Sequence, residues 1–108
     1  MLNQIVLVGR LTSDPEIIEV EGKKKVNILV AVPRAYKNEN GEYDTDYIEC
    51  VLWNAIATNT AEYCHKGDII GVKGRIQTEE IISGITTKYN QYIVAEKITF
   101  LNSNKGEN

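Results

Sequence analysis

The sequence is poor in the residue types that build metal centres and covalent cross-links. Its 108 residues include a single histidine, His65, and two cysteines, Cys50 and Cys64. A closed zinc site would need a carboxylate in addition to these three side chains. In a reducing compartment, two thiols so far apart in sequence are more often small core residues than a disulfide. We therefore expect no cofactor, no metal and no disulfide.

Long apolar runs are also missing. No segment approaches the roughly 20 apolar residues that cross a bilayer. The N-terminus has no basic leader and reaches a charge at Arg10, which is too soon for a signal peptide. These absences predict a cytoplasmic chain without a membrane partner.

No set of side chains points to catalysis. His65 stands beside Lys66 with no acidic partner implied by the sequence, and the acids Asp44 and Asp46 fit a solvated turn better than a metal pair. Neither a phosphate-cradling glycine loop nor a nucleophile motif is found. We therefore expect that the chain is not an enzyme.

Charge gives a mild argument against general nucleic-acid binding. The chain has 12 basic and 15 acidic residues, a net charge of -3, whereas binders of phosphate backbones are usually basic. The remaining composition, 43% hydrophobic and 25% charged, is that of one ordinary globular domain. The question becomes which face of the domain carries the basic groups.

The segment 46–53 has an alternation typical of a strand. One side would carry Ile48, Cys50 and Leu52, and the other Tyr47, Glu49, Val51 and Trp53. The first side is sufficient for a core, so two large aromatics are left pointing the opposite way. They could fill a second core or a subunit contact, or they could form a stacking surface for unpaired bases. The strand alone leaves both interpretations open.

The order of elements predicts the fold class. We expect strands near 4–11, 17–20, 26–36, 46–53, 68–78 and 89–101, with a helix at about 55–66 ended by Lys66 and Gly67. An Asn40-Gly41 turn and a Ser83-Gly84 tip predict two hairpins. This order is that of an all-β OB-fold, a five-stranded Greek-key barrel with one helix between the third and fourth long strands. The domain would span 1–101, and 102–108 would be a short polar tail.

The chain resembles the bacterial single-stranded DNA-binding proteins, especially the form found in Gram-positive bacteria. The resemblance covers about the first hundred residues in family order. Its matching stretches are Met1-Leu2-Asn3, 6–12, Asp14-Pro15-Glu16, Tyr47-Ile48, Cys50-Val51, Trp53, 66–72 and 74–78. It implies an OB-fold subunit, a homotetramer that is a dimer of dimers, and sequence-independent, non-catalytic binding of single strands in replication, recombination or repair at the nucleoid.

The resemblance also implies roles for particular residues. The stacking positions are Tyr36, Tyr47 and Trp53, while a fourth aromatic position falls on Ile81, which has no π-face. The implied backbone and polar contacts to DNA are Asn3, Arg10, Arg34, Lys37, Lys73, Arg75, Gln77 and Lys88. The implied oligomer interface contains Met1, Leu2, Ile5 and Leu7.

Several positions depart from the family pattern. Gln4 stands where a basic residue is frequent, Glu79-Glu80 replaces a basic and polar pair, and Glu49 lies between the two stacking aromatics. These acids predict weaker and less salt-sensitive binding than is typical of the family. They also keep open an alternative, an OB-fold adaptor of a replication or primosome assembly with weak DNA binding. The ending Lys105-Gly106-Glu107-Asn108 carries no acidic tip, so tail-mediated protein recruitment is not supported.

Overall fold

A computed structural model describes residues 1–102 of the chain. Its elements, in chain order, are β1 (Ile5–Leu11), β2 (Ile17–Val20), β3 (Lys23–Lys37), β4 (Tyr43–Trp53), α1 (Asn54–Tyr63), β5 (Ile69–Ser83) and β6 (Thr86–Asn102). Within the described residues, no helix has the length and hydropathy needed to cross a membrane. The predicted tail 102–108 lies outside the described residues except for Asn102, which ends β6.

The strands form one sheet that closes on itself. The strand order is β1-β5-β6-β4-β3-β2, and an additional pairing of β1 with β3 joins the two sides. Five strands therefore make a closed barrel, while β2 is an edge strand on β3. All pairings are antiparallel except that of β4 with β6, which is parallel and limited to Cys50–Ile93 and Val51–Val94. The predicted OB-fold with one helix between the third and fourth long strands is confirmed.

Two glycines permit the close approaches that barrel closure requires. A Cβ on Gly9 would lie 2.5 Å from Cγ1 of Val30 and 2.6 Å from the carbonyl oxygen of Ala31, so β1 passes against β3 only because this residue has no side chain. A Cβ on Gly74 would overlap the carbonyl oxygen of Val94, next to the register shift between β5 and β6. Glycines inside strands commonly mark such bends.

The hairpin turns agree with their sequences. Asn40-Gly41 lies in the predicted turn, where Gly41 has φ 78° and the Asn38 side chain accepts hydrogen bonds from the N–H groups of Asn40 and Glu42. At the tip of the β5–β6 hairpin, Gly84 has φ 62°, a conformation that suits glycine in a two-residue turn.

The core lies inside the barrel and confirms the alternation read from the sequence. Cys50 and Leu52 of β4 are fully buried, and Ile48 packs against the core cluster. The remaining buried apolar residues of this cluster are Leu7, Leu11, Val26, Ile28, Val30, Ala57, Cys64, Ile70, Val72, Ile93 and Ala95. The apolar side of β4 is therefore committed to the core, and its other side lies outside the barrel, where Val51 is nevertheless covered (7% exposed).

The helix is shorter than the sequence predicted. It ends at Tyr63, because Cys64 adopts an extended conformation (φ -112°, ψ 149°). The residues after Cys64 form a separate turn that is fastened to other parts of the chain: the N–H of Lys66 donates to Asp14, and the N–H of Gly67 donates to the carbonyl of Leu11. Lys66 and Gly67 therefore do not end the helix, and His65 does not lie in its last turn.

We expect Leu52→Ala to reduce the free energy of unfolding by about 2–5 kcal/mol, because it leaves a cavity at a fully buried position. Leu29→Ala is the matched control, since Leu29 is 42% exposed on the outer side of β3 and should cost below about 1 kcal/mol. Urea unfolding followed by circular dichroism measures both. Equal losses in the two variants would contradict the inward and outward assignment of these strands.

Candidate functional site

The outward side of β4 carries the two aromatics that the sequence singled out. Tyr47 is 62% exposed, and Trp53 is half-buried. In the register with β3, Trp53 lies opposite Lys25, whose Nζ is 5.2 Å from the centroid of the indole ring. This cation–π contact places a positive charge beside the ring. The sequence analysis missed Lys25, because only the pairing of β3 with β4 brings it to Trp53.

The same side of β4 carries a third aromatic that was missed. Tyr43 is four residues before Tyr47, so the strand period places both on one side, and this signal was present in the sequence. Tyr43 is 57% exposed, and the Nζ of Lys37 lies 5.8 Å from its ring centroid.

Tyr36 is 67% exposed, but it lies where the β3–β4 register is irregular, between Pro33 and Lys37. Strand alternation therefore does not assign Tyr36 to a side.

The face continues from β4 across β6 to β5. Val51 of β4 pairs with Val94 of β6, which pairs with Arg75 of β5. Next to them, Gln77 accepts a hydrogen bond from Nη1 of Arg75 (3.0 Å) and donates one to the hydroxyl of Tyr92 (2.9 Å). The outward residues of these three strands are called the outer face below. It contains Tyr43, Tyr47, Glu49, Val51, Trp53, Arg75, Gln77, Asn90, Tyr92 and Val94.

A groove of about 350 Å³ opens on this face where β4 and β6 separate. Tyr47 and Glu49 line one side, and Asn90 and Tyr92 line the other. Asn90 Nδ2 donates to Oε1 of Glu49 across the groove (3.2 Å). The remaining lining residues are Gln91 and the apolar Ile5, Ile48, Ile76 and Ile93. The groove therefore combines an apolar floor with an aromatic ring, a carboxylate and an amide at its rim.

Carboxylates balance the two arginines nearest to this face. Arg34 makes a bidentate contact with Asp46, in which Nη2 lies 2.9 Å and Nε 3.1 Å from the carboxylate oxygens. Its Nη1 lies 3.8 Å from the carboxylate of Asp44. The hydrogen bond from Arg34 holds the pKa of Asp46 below its usual value, and the same pair raises the pKa of Arg34. Arg75 lies 4.0 Å from Glu96. A phosphate would have to compete with these acids for both guanidinium groups.

Two other residues that the resemblance assigned to DNA contacts are held by the protein backbone. The side-chain amide of Asn3 donates to the carbonyl of Ile76 (2.7 Å) and accepts from its N–H (2.9 Å), so it fastens the N-terminus to β5. Arg10 donates from Nη1 to the carbonyl of Gly67 (2.7 Å). Arg10 remains exposed, but this contact orients its guanidinium toward the turn at Gly67.

The remaining assigned lysines lie apart from one another. Lys73 shares a side of β5 with Arg75, but its cross-strand neighbours are Val6 of β1 and Lys97 of β6. Lys88 lies on the exposed hairpin of β5 and β6, directly opposite Ile81. The structure therefore brings Arg75 and Gln77 near the aromatics, whereas Lys73 lies on β5 between β1 and β6 and Lys88 lies on β6 near the tip of the β5–β6 hairpin.

The hairpin of β5 and β6 carries Ile81 at the position where the resemblance implied an aromatic. Ile81 is 47% exposed, and the nearby Tyr89 is 63% exposed. Tyr89 pairs with Glu80, one position along from the Ile81–Lys88 pair, so its ring belongs to the other side of the hairpin. Tyr89 therefore does not replace the missing ring on the side of Ile81.

The outward apolar residues of β1 differ from those assigned to an oligomer interface. Leu7 is 9% exposed and belongs to the barrel core, so its side chain cannot form a subunit contact. Ile5 is partly buried against the same core. Val6 is 68% and Val8 51% exposed, and they are the residues that project outward. Alternation along β1 therefore sends Val6 and Val8 away from the core and Leu7 into it, so the prediction that Leu7 contacts another subunit is wrong.

The described part of the chain has no cluster of metal-binding side chains, and its two thiols are buried. Residues 1–102 contain no group of three or more His, Cys, Asp or Glu arranged to hold a metal ion. Burial raises the pKa of Cys50 to about 12 and that of Cys64 to about 11, so both thiols stay protonated near neutral pH. Both cysteines pack as small core residues.

The closed barrel and its outward aromatics define a class of protein, the OB-fold domains that use a sheet face for recognition. Over residues 2–101 the chain matches the model of the single-strand binding protein family, and it belongs to that family.

The curated relatives include proteins of similar and of greater length. Single-stranded DNA-binding protein B of Bacillus subtilis is 42% identical over 94% of this chain and 91% of its own. Single-stranded DNA-binding protein 1 of Clostridium acetobutylicum is 39% identical over 96% of this chain and 97% of its own. A single-stranded DNA-binding protein of Lactiplantibacillus plantarum is 42% identical over 95% of this chain but only 52% of its own. The barrel is therefore the part that all three share with this chain.

Proposed function

We propose that this chain binds single-stranded DNA irrespective of base sequence and protects it during replication, recombination or repair. The observation that carries the proposal is the outward side of β4, where Tyr43, Tyr47 and Trp53 stand on a strand whose other side already supplies the core. Family membership and the names of the relatives support the same ligand. The activity is binding without catalysis, in the cytoplasm at the nucleoid.

Base stacking supplies most of the binding free energy in this mechanism. An aromatic ring that is exposed on a sheet can stack against any base, at about 1–3 kcal/mol per base. The ammonium groups of Lys25 and Lys37 lie over the rings of Trp53 and Tyr43, so a base that stacks on that side of either ring would displace the lysine, which could then contact a flanking phosphate. Tyr36, also exposed, provides a further ring at the end of β3. The other proposed polar contacts are Arg10, Lys73, Arg75, Gln77 and Lys88, with Asn3 and Arg34 available only if they leave their present partners.

Addition of oligo-dT at low salt should quench the fluorescence of Trp53, because it is the sole tryptophan of the chain and would stack on a base. Tyr47→Ala should weaken binding by about 1–3 kcal/mol in the same titration. Tyr63→Ala is the matched control, since both tyrosines are 62% exposed but Tyr63 lies on α1 against Phe100.

The outcomes separate the proposal from the adaptor alternative, which is favoured by the acids on the same surfaces, Glu49, Glu79 and Glu80. Quenching that weakens in Tyr47→Ala and persists in Tyr63→Ala supports the stacking surface. No change in fluorescence at micromolar DNA and low salt would exclude Trp53 from DNA binding and favour a protein partner for this face.

The ion pair of Arg34 should reduce the salt dependence of binding. Asp46→Asn removes the carboxylate that holds Arg34, so the released guanidinium can neutralise one more phosphate. The slope of log affinity against log salt should steepen by about 0.7, the value for one contact to a single strand. Titrations over a range of salt concentrations measure this slope.

Glu42→Gln is the control for this change, because it removes the same charge from the same hairpin at an exposed side chain that forms no ion pair within residues 1–102. Its slope should stay close to that of the wild type. Equal slopes for Asp46→Asn and Glu42→Gln would mean that Arg34 is not restrained by its carboxylates.

We further propose that the chain assembles as a homotetramer, a dimer of dimers, through two surfaces of β1, its open strand edge and its outward apolar side, because a single two-fold contact closes at two chains. Among the described residues, only Arg10 and Leu11 of β1 pair with β3, so the edge from Ile5 to Gly9 has no second strand beside it. Val6 and Val8 project outward along this edge, and Val8 lies near Gly71. An open strand edge with exposed apolar residues can pair with the same edge of a second copy. Met1, Leu2 and partly buried Ile5 border this surface.

Sedimentation equilibrium should give the mass of four chains for the wild type and a lower mass for Val6→Lys, because a lysine would place a charge in the contact. Ile18→Lys is the matched control, with a 46% exposed apolar residue on β2. A monomeric wild type, or an unchanged mass in Val6→Lys, would contradict assembly through this edge.

A further inference from the structure

Glu49 occupies an unusual place for an acid, in the middle of the proposed DNA-binding face. It lies two residues from Tyr47 on the same side of β4, which is about 7 Å along the strand. Its cross-strand neighbour on β3 is Leu29, and within residues 1–102 its carboxylate takes part in no ion pair. A carboxylate without a cationic partner repels phosphates, so Glu49 does not contribute to binding of the DNA backbone.

The carboxylate is nevertheless oriented. Asn90 of β6 donates from Nδ2 to Oε1 of Glu49 at 3.2 Å, a contact between strands that are 41 residues apart in sequence. This hydrogen bond holds the side chain at the rim of the groove and leaves Oε2 and the remaining lone pairs available as acceptors. The second hydrogen of the Asn90 amide is also available as a donor. The rim therefore presents an acceptor and a donor side by side.

Next to the acceptor of Glu49 and the donor of Asn90, the groove offers an apolar surface on which a flat ring can lie. Its volume of about 350 Å³ lies at the small end of the range for ligand sites, and its floor includes Ile48 and Ile76. Tyr47 stands at one side of it. A base that stacks on Tyr47 extends along β4 toward Glu49, so its polar edge reaches the carboxylate and the amide.

We propose that Glu49 and Asn90 read the polar edge of a stacked base and favour bases that present an exocyclic amino group beside a ring-nitrogen acceptor, such as cytosine and adenine, over thymine. Carboxylates accept hydrogen bonds from the N4 amino group of cytosine. In the same pose Asn90 donates to the neighbouring ring nitrogen N3, which is an acceptor. Thymine has the carbonyl oxygen O4 in place of the amino group, and this oxygen repels the carboxylate. The inference rests on the proposed function, because it assigns a base preference to the same face.

The preference is a modest bias on a surface that still accepts any sequence. One added hydrogen bond of ordinary net strength, as expected on a solvated face, changes affinity by about threefold to tenfold. Wild-type protein should therefore bind oligo-dC about threefold to tenfold more tightly than oligo-dT of equal length, as measured by quenching of Trp53. Measured at several salt concentrations, the ratio of the two affinities should stay nearly constant, because both strands carry the same phosphates.

Glu49→Gln is the test variant, since the amide keeps the size of the side chain, removes its charge and can donate to O4 of thymine. Binding of oligo-dT should strengthen more than binding of oligo-dC, and the ratio should fall toward one. Glu62→Gln removes the same charge from an exposed position on α1 and should leave the ratio at its wild-type value. Asn90→Ala should reduce the ratio as well, because it releases the carboxylate from its fixed orientation.

Circular dichroism spectra of all variants establish that the barrel is intact. A wild-type ratio at or below one, or a ratio unchanged in Glu49→Gln, would overturn the assignment of Glu49 and Asn90 while leaving DNA binding in place. Failure of both oligonucleotides to bind the wild type would instead refute the proposed function. The two failures are therefore distinguishable in one set of titrations.

Discussion

The close passage of β1 against β3 at Gly9 is the constraint on which the rest of the structure depends. With no side chain at this position, β1 can pair with β5 along most of its length and still reach Ala31 and Val30 of β3 with its last two residues. The sheet then closes, and one side of each strand is committed to the core. Because that side of β4 is filled by aliphatic residues and a cysteine, its aromatics have no place inside and remain on the surface.

Carboxylates restrain one arginine of the outer face, Arg75, and a second arginine outside it, Arg34. Arg34 and Arg75, which could each hold a phosphate, both face carboxylates of the same chain, and Glu49 adds an acid near the centre of the face. Binding of a single strand therefore gains less from counterion release than a basic surface would allow. The proposed stacking on Tyr47 and Trp53 would not be affected by this balance, since stacking depends on ring area and exposure. The net charge of -3 and a DNA-binding face are compatible for this reason.

Sequence reasoning succeeded where a property follows from local backbone geometry. Alternation alone separated Tyr47 and Trp53 from Cys50 and Leu52, and the structure has the same division. The prediction failed in the apolar run of β1, where every residue is suited to a core. Leu7 was assigned there to an oligomer interface. Pairing of Leu7 with the buried Val72 decides which side of β1 points inward. The helix end was misplaced for a similar reason, because distant parts of the chain hold the turn after Cys64.

The sequence by itself determined the fold class, the family and the outward aromatics of β4, because these depend on residue period, glycine placement and motif order within short segments. Tertiary structure alone decided which groups surround those aromatics. Lys25 reaches Trp53 through the register of β3 with β4, and Asn90 reaches Glu49 across 41 residues of sequence. Such contacts depend on strand register and barrel closure, which are set by the packing of the whole core and leave no mark in any single segment.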